Sequence, residues 1–251
     1  MSDPILIEVC VDSVASAVAA ERGGARRVEL CSNLLEGGVT PSAGLIELVR
    51  ARTSIGLQLM VRPRGGDFCY TPEEFETMRR DIMAAKKLGA DGVVVGILNA
   101  DGDVDVERTR ELVDLARPLS VTFHRAFDMS ADLFRAVECI CTTGADRLLT
   151  SGGEKTAPQA VEQIARLVEA ARRRIAIMAC GGINHHNAAS IIEQTGVREI
   201  HVGLRSPVPS PMLHRNPELS MGTAAQCEYQ RFEVLEKDVL SLHRAVASAR
   251  T

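Results

Sequence analysis

The sequence contains no tryptophan, and aromatic residues make up only 3% of its 251 residues, whereas hydrophobic residues make up 45%. The core must therefore be built from aliphatic side chains. No apolar run approaches the roughly 20 residues that a membrane-spanning helix needs. The first residues also lack the basic start and small-residue cleavage site of a secretory signal peptide. We therefore expect a cytoplasmic protein with no membrane partner.

The chain also lacks a strong charge of either sign and a C-x-x-C metal motif. Its net charge of −4 gives no reason to expect nucleic acid or an anionic membrane surface as a partner. Seven cysteines are present, and in a cytoplasmic protein we expect them to be reduced thiols. Each free cysteine can be a small buried hydrophobic residue or a ligand for a soft metal.

A repeated pattern organises the chain. A glycine where a helix would end, two or three linking residues and a short β-rich run recur at 23–32, 88–97, 143–152 and 195–204. The glycine is typical of a helix C-terminus before a strand. Further strand-like runs lie at 5–11, 57–63, 120–126 and 174–180. Helical segments alternate with all of them, and no break in composition is visible. The pattern predicts an α/β fold in which 1–251 forms a single (β/α)8 TIM-type barrel.

Helix starts are marked by polar capping residues. Thr71, Pro72 and Glu74 form a capping-box pattern at the start of one helix. Other helices are expected to begin near Asp12, Ser42, Asp105, Ser130, Pro158 and Asn184. The stretch 205–222 contains four prolines and is predicted to be an irregular loop. An amphipathic C-terminal helix is expected to follow at about 223–248.

Alternation along the strands separates residues facing the helices from residues facing the barrel interior. One parity is aliphatic on nearly every strand and should face the helices. The other parity should point inward, and its members are Glu8, Cys10, Glu29, Cys31, Gln58, Arg62, Arg64, Thr122, His124, Ser151, Cys180 and His201. The active sites of such barrels lie at the carboxyl ends of the strands. We therefore predict a functional pocket there, with Glu8 and Glu29 as counterions for the two arginines, in preference to ion pairs that only fill the barrel.

Two glycine-containing loops follow the sixth and seventh strands. Ser151 and Gly152 lie in the first, and Gly181 and Gly182 lie in the second, where Asn184 is expected to open a helix. Glycines beside a helix N-terminus let backbone N–H groups converge on an anion. These loops are candidate phosphate- or carboxylate-binding sites, and tight turning alone is the alternative explanation.

Several long motifs carry a resemblance to a known family. They include "EVCVDS", "VELCSNLLEGGVTPSAGLI", "VRPRGGDFCYT", "LLTSGG" and "GGIN", and the match runs from about residue 5 to 205. The chain resembles the CutC family, which is named for copper homeostasis. The resemblance implies a (β/α)8-type barrel, a cytoplasmic location, a homo-oligomer and a link to copper handling. The chain departs from the family pattern at Ala179-Cys180, where Pro-Gly is usual, and at Gly203-Leu204, where Ser-Ala is usual.

One functional hypothesis is a Cu(I) site, because Cu(I) prefers thiolate and thioether ligands. Cys10 and Cys31 share the inward parity on neighbouring strands, although the stagger of a barrel could separate their sulfurs. Met178 and Cys180 form a second inward pair. Cys139 and Cys141 are weaker candidates, since residues two apart on a helix point nearly opposite ways. The His185-His186 pair is expected at an exposed helix start.

The alternative hypothesis is an enzyme acting on a small phosphorylated or carboxylated metabolite in the pocket at the carboxyl ends of the strands, called here the mouth of the barrel. Arg62 and Arg64 would bind the anionic group, together with Ser151, Gly152, Gly181 and Gly182. Acid/base chemistry would fall to four side chains, which are Glu8, Glu29, His124 and His201. The expected ligand is thus either a copper ion or a small anion. A module that binds a protein partner is a third reading, which the absence of a large apolar stripe disfavours.

Overall fold

The strands close into a barrel. The computed structural model of the protein describes residues 4–219 and 229–248. Eight parallel strands follow one another in chain order around a closed barrel, and the first pairs with the eighth. They are β1 (Leu6–Val11), β2 (Arg27–Leu30), β3 (Gly56–Met60), β4 (Gly92–Val95), β5 (Ser120–Phe123), β6 (Arg147–Thr150), β7 (Ala176–Ala179) and β8 (Glu199–Val202). The predicted (β/α)8 barrel is confirmed.

Helices connect the strands along the outside of the barrel. They are α1 (Val14–Arg22), α2 (Ala43–Arg52), α3 (Pro72–Lys87), α4 (Val106–Ala116), α5 (Leu133–Cys141), α6 (Val161–Ala171), α7 (Ala188–Thr195) and α8 (Glu236–Ser248). The capping box at α3 is confirmed, because Thr71 accepts from the Glu74 N–H and Glu74 accepts from the Thr71 N–H. Ser42 and Asp105 likewise cap α2 and α4.

Three helices begin three or four residues later than predicted, namely α5, α6 and α7. Short 3₁₀ helices or turns occupy the positions where these three helices were expected to begin. Ser130 ends a 3₁₀ turn, and Pro158 lies within another. Asn184 accepts a hydrogen bond from the His186 N–H at 2.9 Å, so its side chain holds a turn ahead of α7. Polar and proline residues favour such turns as well as helix starts, and the sequence pattern does not separate the two.

The segment after the barrel also differs from the prediction. The proline-rich stretch begins with a strand, β9 (Arg205–Pro209), which pairs antiparallel with β10 (Gln230–Val234). The C-terminal helix therefore starts at Glu236 rather than near 223, and 223–228 lies outside the described residues. Val239, Leu242 and Val246 are buried, as the amphipathic pattern predicts. The extension of the helix over 230–234 was wrong, because this segment pairs as a strand with a segment distant in sequence.

The two faces of the strands separate as predicted. Aliphatic residues such as Val9, Leu30 and Leu59 pack between barrel and helices in the main core. The barrel interior instead contains sulfur and polar groups, with Cys10, Cys31, Met60 and Val94 in one cluster and Leu149, Met178 and Cys180 in another. Alternation places the reactive side chains together inside the barrel. Within 4–219 and 229–248, no helix combines the length and hydropathy that crossing a membrane requires.

Candidate functional site

A cavity of about 940 Å³ lies at the carboxyl ends of the strands. It is lined by strand ends and by the loops that follow them. Four side chains that the parity argument sends to this end, Glu29, Arg62, His124 and His201, all line the cavity. The sequence thus correctly placed these groups around one space, although they come from four different strands or strand ends.

Two thiols meet at a carboxylate beside this cavity, which Cys10 and Glu29 line, while Cys31 is fully buried next to them. Cys10 and Cys31 lie 3.4 and 3.5 Å from Glu29 Oε2, to which each thiol can donate. Cys10 is aligned with Glu29 across the β1–β2 pair, and Cys31 follows two residues later on the same side. One ligand atom from each of the three residues lies within 4.8 Å of the others. Barrel stagger therefore does not separate the sulfurs.

His201 joins this cluster from β8. Its Nδ1 lies 2.7 Å from Glu8 Oε1, and its Nε2 lies 3.8 Å from Glu29 Oε2. The pairing of β1 with β8 aligns Glu8 with His201 and so explains the contact. Burial alone would lower the pKa of His201, but the Glu29 carboxylate, Cys10 and Glu8 together raise it well above its usual range. His201 is therefore disposed to hold a proton beside the thiols.

Burial and contact distribute the charge of the cluster unevenly. The hydrogen bond from Cys31 lowers the pKa of Cys10 to about 5. Burial raises the pKa of Glu29 to about 8, and the same contact with Cys10 raises the pKa of Cys31 above its usual range. Of the two thiols, Cys10 is thus the more readily deprotonated. A thiolate beside a thiol is a suitable ligand set for a soft cation.

A charged network closes the barrel below the thiols. Arg27 contacts Glu8 through Nε and Glu199 through Nη2, the latter at 2.5 Å, while Arg147 Nε reaches Glu199 at 3.0 Å. Burial alone would raise the pKa of Glu8, but the hydrogen bond with His201 and the contact with Arg27 lower it to about 2. The prediction that Glu8 balances Arg62 was wrong. Arg27, Glu199 and Arg147 were missed, although Arg27 shares the inward parity of Glu29 one step earlier on β2.

Arg62 is buried at the mouth, with backbone carbonyls as its partners. It donates from Nη1 to Glu36 O at 2.8 Å and Gly38 O at 2.9 Å, and from Nη2 to Gly66 O at 2.7 Å. Neither Glu8 nor Glu29 forms an ion pair with it, so the predicted counterions are wrong. Arg62 also lies near the Tyr70 hydroxyl, whose pKa burial raises to about 12 despite that guanidinium.

Arg64 points away from the cavity, contrary to the prediction. Its Nε donates to Glu74 Oε1 at 2.6 Å, its Nη2 donates to Asp67 Oδ1 at 3.0 Å, and its guanidinium stacks on Tyr70. These contacts hold the loop between β3 and α3. Strand alternation ends with β3 at Met60, so parity no longer governs a residue four positions later.

His124 lies in the cavity wall with its ring orientation fixed. The Ala126 N–H donates to His124 Nδ1 at 3.1 Å, and the Phe68 ring lies 5.0 Å away, centroid to centroid. Gly96 makes room for the imidazole, because a Cβ there would come within 2.4 Å of it. Burial, helped by the Arg62 charge, lowers the pKa of His124 to about 3. The ring is therefore neutral at physiological pH.

The first candidate anion loop already contains a carboxylate. Asp128 Oδ1 accepts from Thr150 Oγ1 at 2.5 Å and from the Gly153 N–H at 3.1 Å. Asp128 Oδ2 accepts from Ser151 Oγ at 3.0 Å and from Arg125 Nε at 2.8 Å. The loop does surround an anion, as its composition suggests, but the anion belongs to the protein. The Ser151 N–H donates to Asp128, and the Gly152 N–H donates to Thr150 Oγ1 at 2.8 Å, so neither N–H is free in this structure. An anion-binding role for Ser151 and Gly152 is untested and would require these bonds to break.

The second candidate loop remains open to the cavity. Gly181 and Gly182 line it, with φ values of +85° and +72° that favour glycine. The Gly182 carbonyl accepts from the side-chain amides of Asn184 and Asn187 at 3.3 and 2.9 Å. These contacts fix the turn ahead of α7. An anion-binding role for Gly181 and Gly182 remains a prediction.

The other sulfur and imidazole candidates lie apart from the thiol pair. Met178 Sδ accepts from Arg27 Nη2 at 3.1 Å, which engages this thioether in the network below the cavity. Cys180 lines the cavity, and burial raises its pKa well above the usual range, so it is held as a thiol. Cys139 and Cys141 lie on α5, outside the barrel. His185 and His186 stack on each other at 3.8 Å in an exposed turn.

Comparison with known proteins supports a common family. The model of the CutC family matches residues 5–206. A CutC family protein of Chromobacterium violaceum is 44% identical over 244 residues, covering 97% of this chain and 99% of the relative. The "copper homeostasis protein cutC homolog" of Homo sapiens is 46% identical over 242 residues, covering 96% of this chain and 89% of the relative.

A solved structure extends this agreement to three dimensions. The crystal structure of a putative copper homeostasis protein CutC from Streptococcus agalactiae superposes with a TM-score of 0.75 at 34% sequence identity. The alignment covers 79% of this chain and 98% of the other. Sequence and fold therefore point to the same set of relatives.

Proposed function

The chain belongs to the CutC family, and we propose that it binds one Cu(I) ion between Cys10 and Cys31. The observation that carries this proposal is the convergence of two buried thiols and Glu29 within 4.8 Å beside a cavity that Cys10 and Glu29 line. Cu(I) prefers soft sulfur ligands, whereas a hard cation such as Mg²⁺ would need more oxygen atoms than this cluster offers. The name of the human relative, which refers to copper homeostasis, supports the same interpretation.

Each member of the cluster has a distinct role in this proposal. Thiols bind metal as thiolates, so the ion displaces the protons that the pair holds, and the lowered pKa of Cys10 makes its sulfur the first ligand. Glu29 and His201 are the nearest groups that can exchange that proton. Glu8 holds His201 Nδ1 and so directs Nε2 towards Glu29, which makes Glu8 a positioning residue.

Removing both sulfurs tests the proposal. We expect the Cys10→Ser/Cys31→Ser variant to lose more than about 100-fold in Cu(I) affinity, because even outer-shell changes at metal sites cost about 10–100-fold. Competition with a chromogenic Cu(I) chelator, under anaerobic reducing conditions, measures this. The matched control is Cys139→Ser/Cys141→Ser on α5, which should bind as the wild type does. Unchanged affinity in the Cys10/Cys31 variant would exclude this site.

A second comparison separates cation binding from anion binding. Arg62→Ala removes a positive charge from the mouth and should not weaken Cu(I) binding, since a cation gains nothing from a guanidinium. A large loss of Cu(I) affinity in this variant, with its fold intact by circular dichroism, would contradict direct binding by the thiols alone. The alternative, in which the mouth acts on a small anion, predicts that Arg62→Ala weakens the binding of small phosphates in calorimetry while Cys10→Ser/Cys31→Ser leaves it unchanged.

A cytoplasmic location and a homo-oligomer complete the proposal. Cu(I) held by thiols requires a reducing compartment, and the six cysteines within the described residues are free. The homo-oligomer rests on the family resemblance. Cell fractionation and light scattering of the purified protein check the two points. A secreted protein would contradict the cytoplasmic location, and a monomer at all concentrations would contradict the homo-oligomer.

A further inference from the structure

A buried positive charge at the cavity mouth has no negative partner. Arg62 is only 5% exposed. Its hydrogen bonds go to the uncharged carbonyls of Glu36, Gly38 and Gly66, and within the described part of the chain no carboxylate forms an ion pair with it. Burying an uncompensated charge is costly, so proteins usually pair such groups. The arrangement favours an anion from outside the chain.

A second donor without a partner belongs to the same wall. His124 Nδ1 accepts the Ala126 N–H, so the proton of the neutral ring lies on Nε2. That N–H is buried and has no acceptor among residues 4–219 and 229–248. The Phe68 ring lies 5.0 Å from the His124 ring and 5.0 Å from the Arg62 guanidinium carbon. Arg62, His124 and Phe68 therefore form one continuous surface, called here the Arg62 wall.

The rest of the cavity limits the kind of anion. A phosphate dianion requires several converging donors, but the glycine loop after β6 is filled by Asp128, and both Nη atoms of Arg62 are engaged. The lining also contains apolar side chains, namely Leu34, Met60, Leu98, Leu149 and Ile183, together with Asn99, Arg125, Arg205 and the open glycine loop after β7. The two unpartnered groups of the Arg62 wall, beside the apolar part of this lining, suit a ligand with one negative charge and a hydrocarbon body.

We infer that the cavity binds a small organic monocarboxylate, with its carboxylate against Arg62 and His124 Nε2 and its apolar body beside Phe68. Neither Arg62 nor His124 belongs to the thiol cluster, so this site does not depend on copper. The carboxylate would supply the negative charge that Arg62 lacks and the acceptor that the imidazole N–H lacks. The apolar body would cover the hydrocarbon part of the wall.

Calorimetry on the copper-free wild-type protein tests the inference. Sodium hexanoate and sodium benzoate are the probes, hexanamide is the uncharged match for hexanoate, and inorganic phosphate tests the other anion class. We expect saturable binding of at least one carboxylate, with hexanamide and phosphate at least about tenfold weaker, because a charged hydrogen bond contributes more than a neutral one. Absence of carboxylate binding, or equal binding of hexanamide, would overturn the inference. So would tighter binding of phosphate.

Two variants of one residue locate the ligand. His124→Phe removes the donor and should weaken carboxylate binding by about tenfold or more, whereas His124→Gln keeps an N–H at a similar reach and should retain most of it. Arg64→Gln, outside the cavity, is the control and should bind normally. Equal affinity in the Phe and Gln variants would place the ligand elsewhere.

A measurement on the wild type covers the case in which the phenylalanine variant does not fold. The Nε2–H proton of His124 should move downfield in the NMR spectrum when hexanoate or benzoate saturates the site, because its hydrogen bond then forms to a charged acceptor. An unshifted resonance at saturation would overturn the contact. Since copper is removed by a chelator throughout, failure of these tests leaves the Cu(I) proposal standing, and failure of the thiol test leaves this one standing.

Discussion

The two ends of the barrel interior are built from similar residues and differ in how those residues are paired. At the amino end, Glu8 and Glu199 each contact Arg27, and Glu199 also contacts Arg147. At the mouth, Arg62 has only carbonyl partners, and polar atoms of Glu29 and His124 have no hydrogen-bond partner within the described residues. Burial is comparable at both ends. The charges of the amino end thus lie against opposite charges, although Arg147 Nη1 has no hydrogen-bond partner among the described residues, whereas the guanidinium of Arg62 at the mouth has no opposite charge beside it.

Charged side chains inside a barrel can line a functional pocket or can only fill the barrel with ion pairs. The two ends differ in which of these explanations applies. Ion pairs that only fill the barrel account for the amino end, where opposite charges touch. They do not account for the mouth, where the Arg62 guanidinium, the Cys10 thiol and the His124 imidazole line an open cavity. A buried charge therefore indicates a functional site when no opposite charge of the protein lies beside it. Burial alone is a weaker indication.

The strongest test of the comparison removes the shared cation of the amino end. Arg27→Met leaves Glu8 and Glu199 buried with reduced compensation, and breaking a buried pair in this way costs about 3–5 kcal/mol. We expect the free energy of unfolding to fall by that amount in urea denaturation. A decrease below about 1 kcal/mol would mean that the network contributes little and that the amino end is not held by its charges.

Acid should act on the mouth before it acts on the amino end. The pKa of His124 is about 3 against an ordinary 6.5, so below pH 6.5 the unfolded state binds a proton that the folded state refuses. Stability is lost as pH falls from 6.5 towards 3. Glu8, with a pKa lowered from 4.5 to about 2, adds its loss only below about pH 4.5.

The His124→Gln variant isolates the first of these effects. Between pH 6.5 and 4.5 the wild type should lose up to about 3 kcal/mol more stability than the variant. Urea titrations at intervals across that range give the difference. If the free energy of unfolding falls equally with pH in the two proteins, the pKa of His124 is not lowered in the folded protein.

Removing the cation of the mouth should cost less than removing that of the amino end. Arg62→Met breaks three hydrogen bonds to carbonyls but also relieves an unpaired buried charge. We expect a loss of about 1–3 kcal/mol in the free energy of unfolding. A loss equal to that of Arg27→Met would indicate that Arg62 is compensated in the folded protein after all.

The smallest effect is expected at the neighbouring arginine. Arg64 pairs with Glu74 and Asp67 near the surface, where solvent screens the interaction. Arg64→Gln should leave the urea midpoint and the binding of both proposed ligands nearly unchanged. A large change in either would show that this arginine, two residues from Arg62, reaches the cavity.

The regular parts of the molecule were predictable from the sequence because they depend on local periodicity. Alternation assigned Val9 and Leu59 to the outer face and Cys10 and Glu29 to the interior. The capping box at Thr71 identified the start of α3. Both patterns operate over a few residues, and neighbouring positions in the chain are enough to read them.

Errors arose beyond the strand ends and where hydrogen-bond partners come from distant parts of the chain. Arg64 and the starts of α5 to α7 lie beyond the strand ends, where alternation no longer applies. Asp128 was missed as the occupant of the loop after β6, because 22 positions separate it from Thr150. No short-range signal distinguishes a carboxylate that fills a loop from one that faces water.

The sequence by itself determined the barrel, the side of each strand and the residues available to the interior, since these follow from hydrophobic patterns of period two and 3.6. Only the tertiary structure decided which charges meet. It paired Glu8 with Arg27 and His201, brought Cys31 to the carboxylate opposite Cys10, and left Arg62 without a counterion. Those outcomes depend on strand register and loop paths, which are set by packing over the whole barrel and have no local trace in the chain.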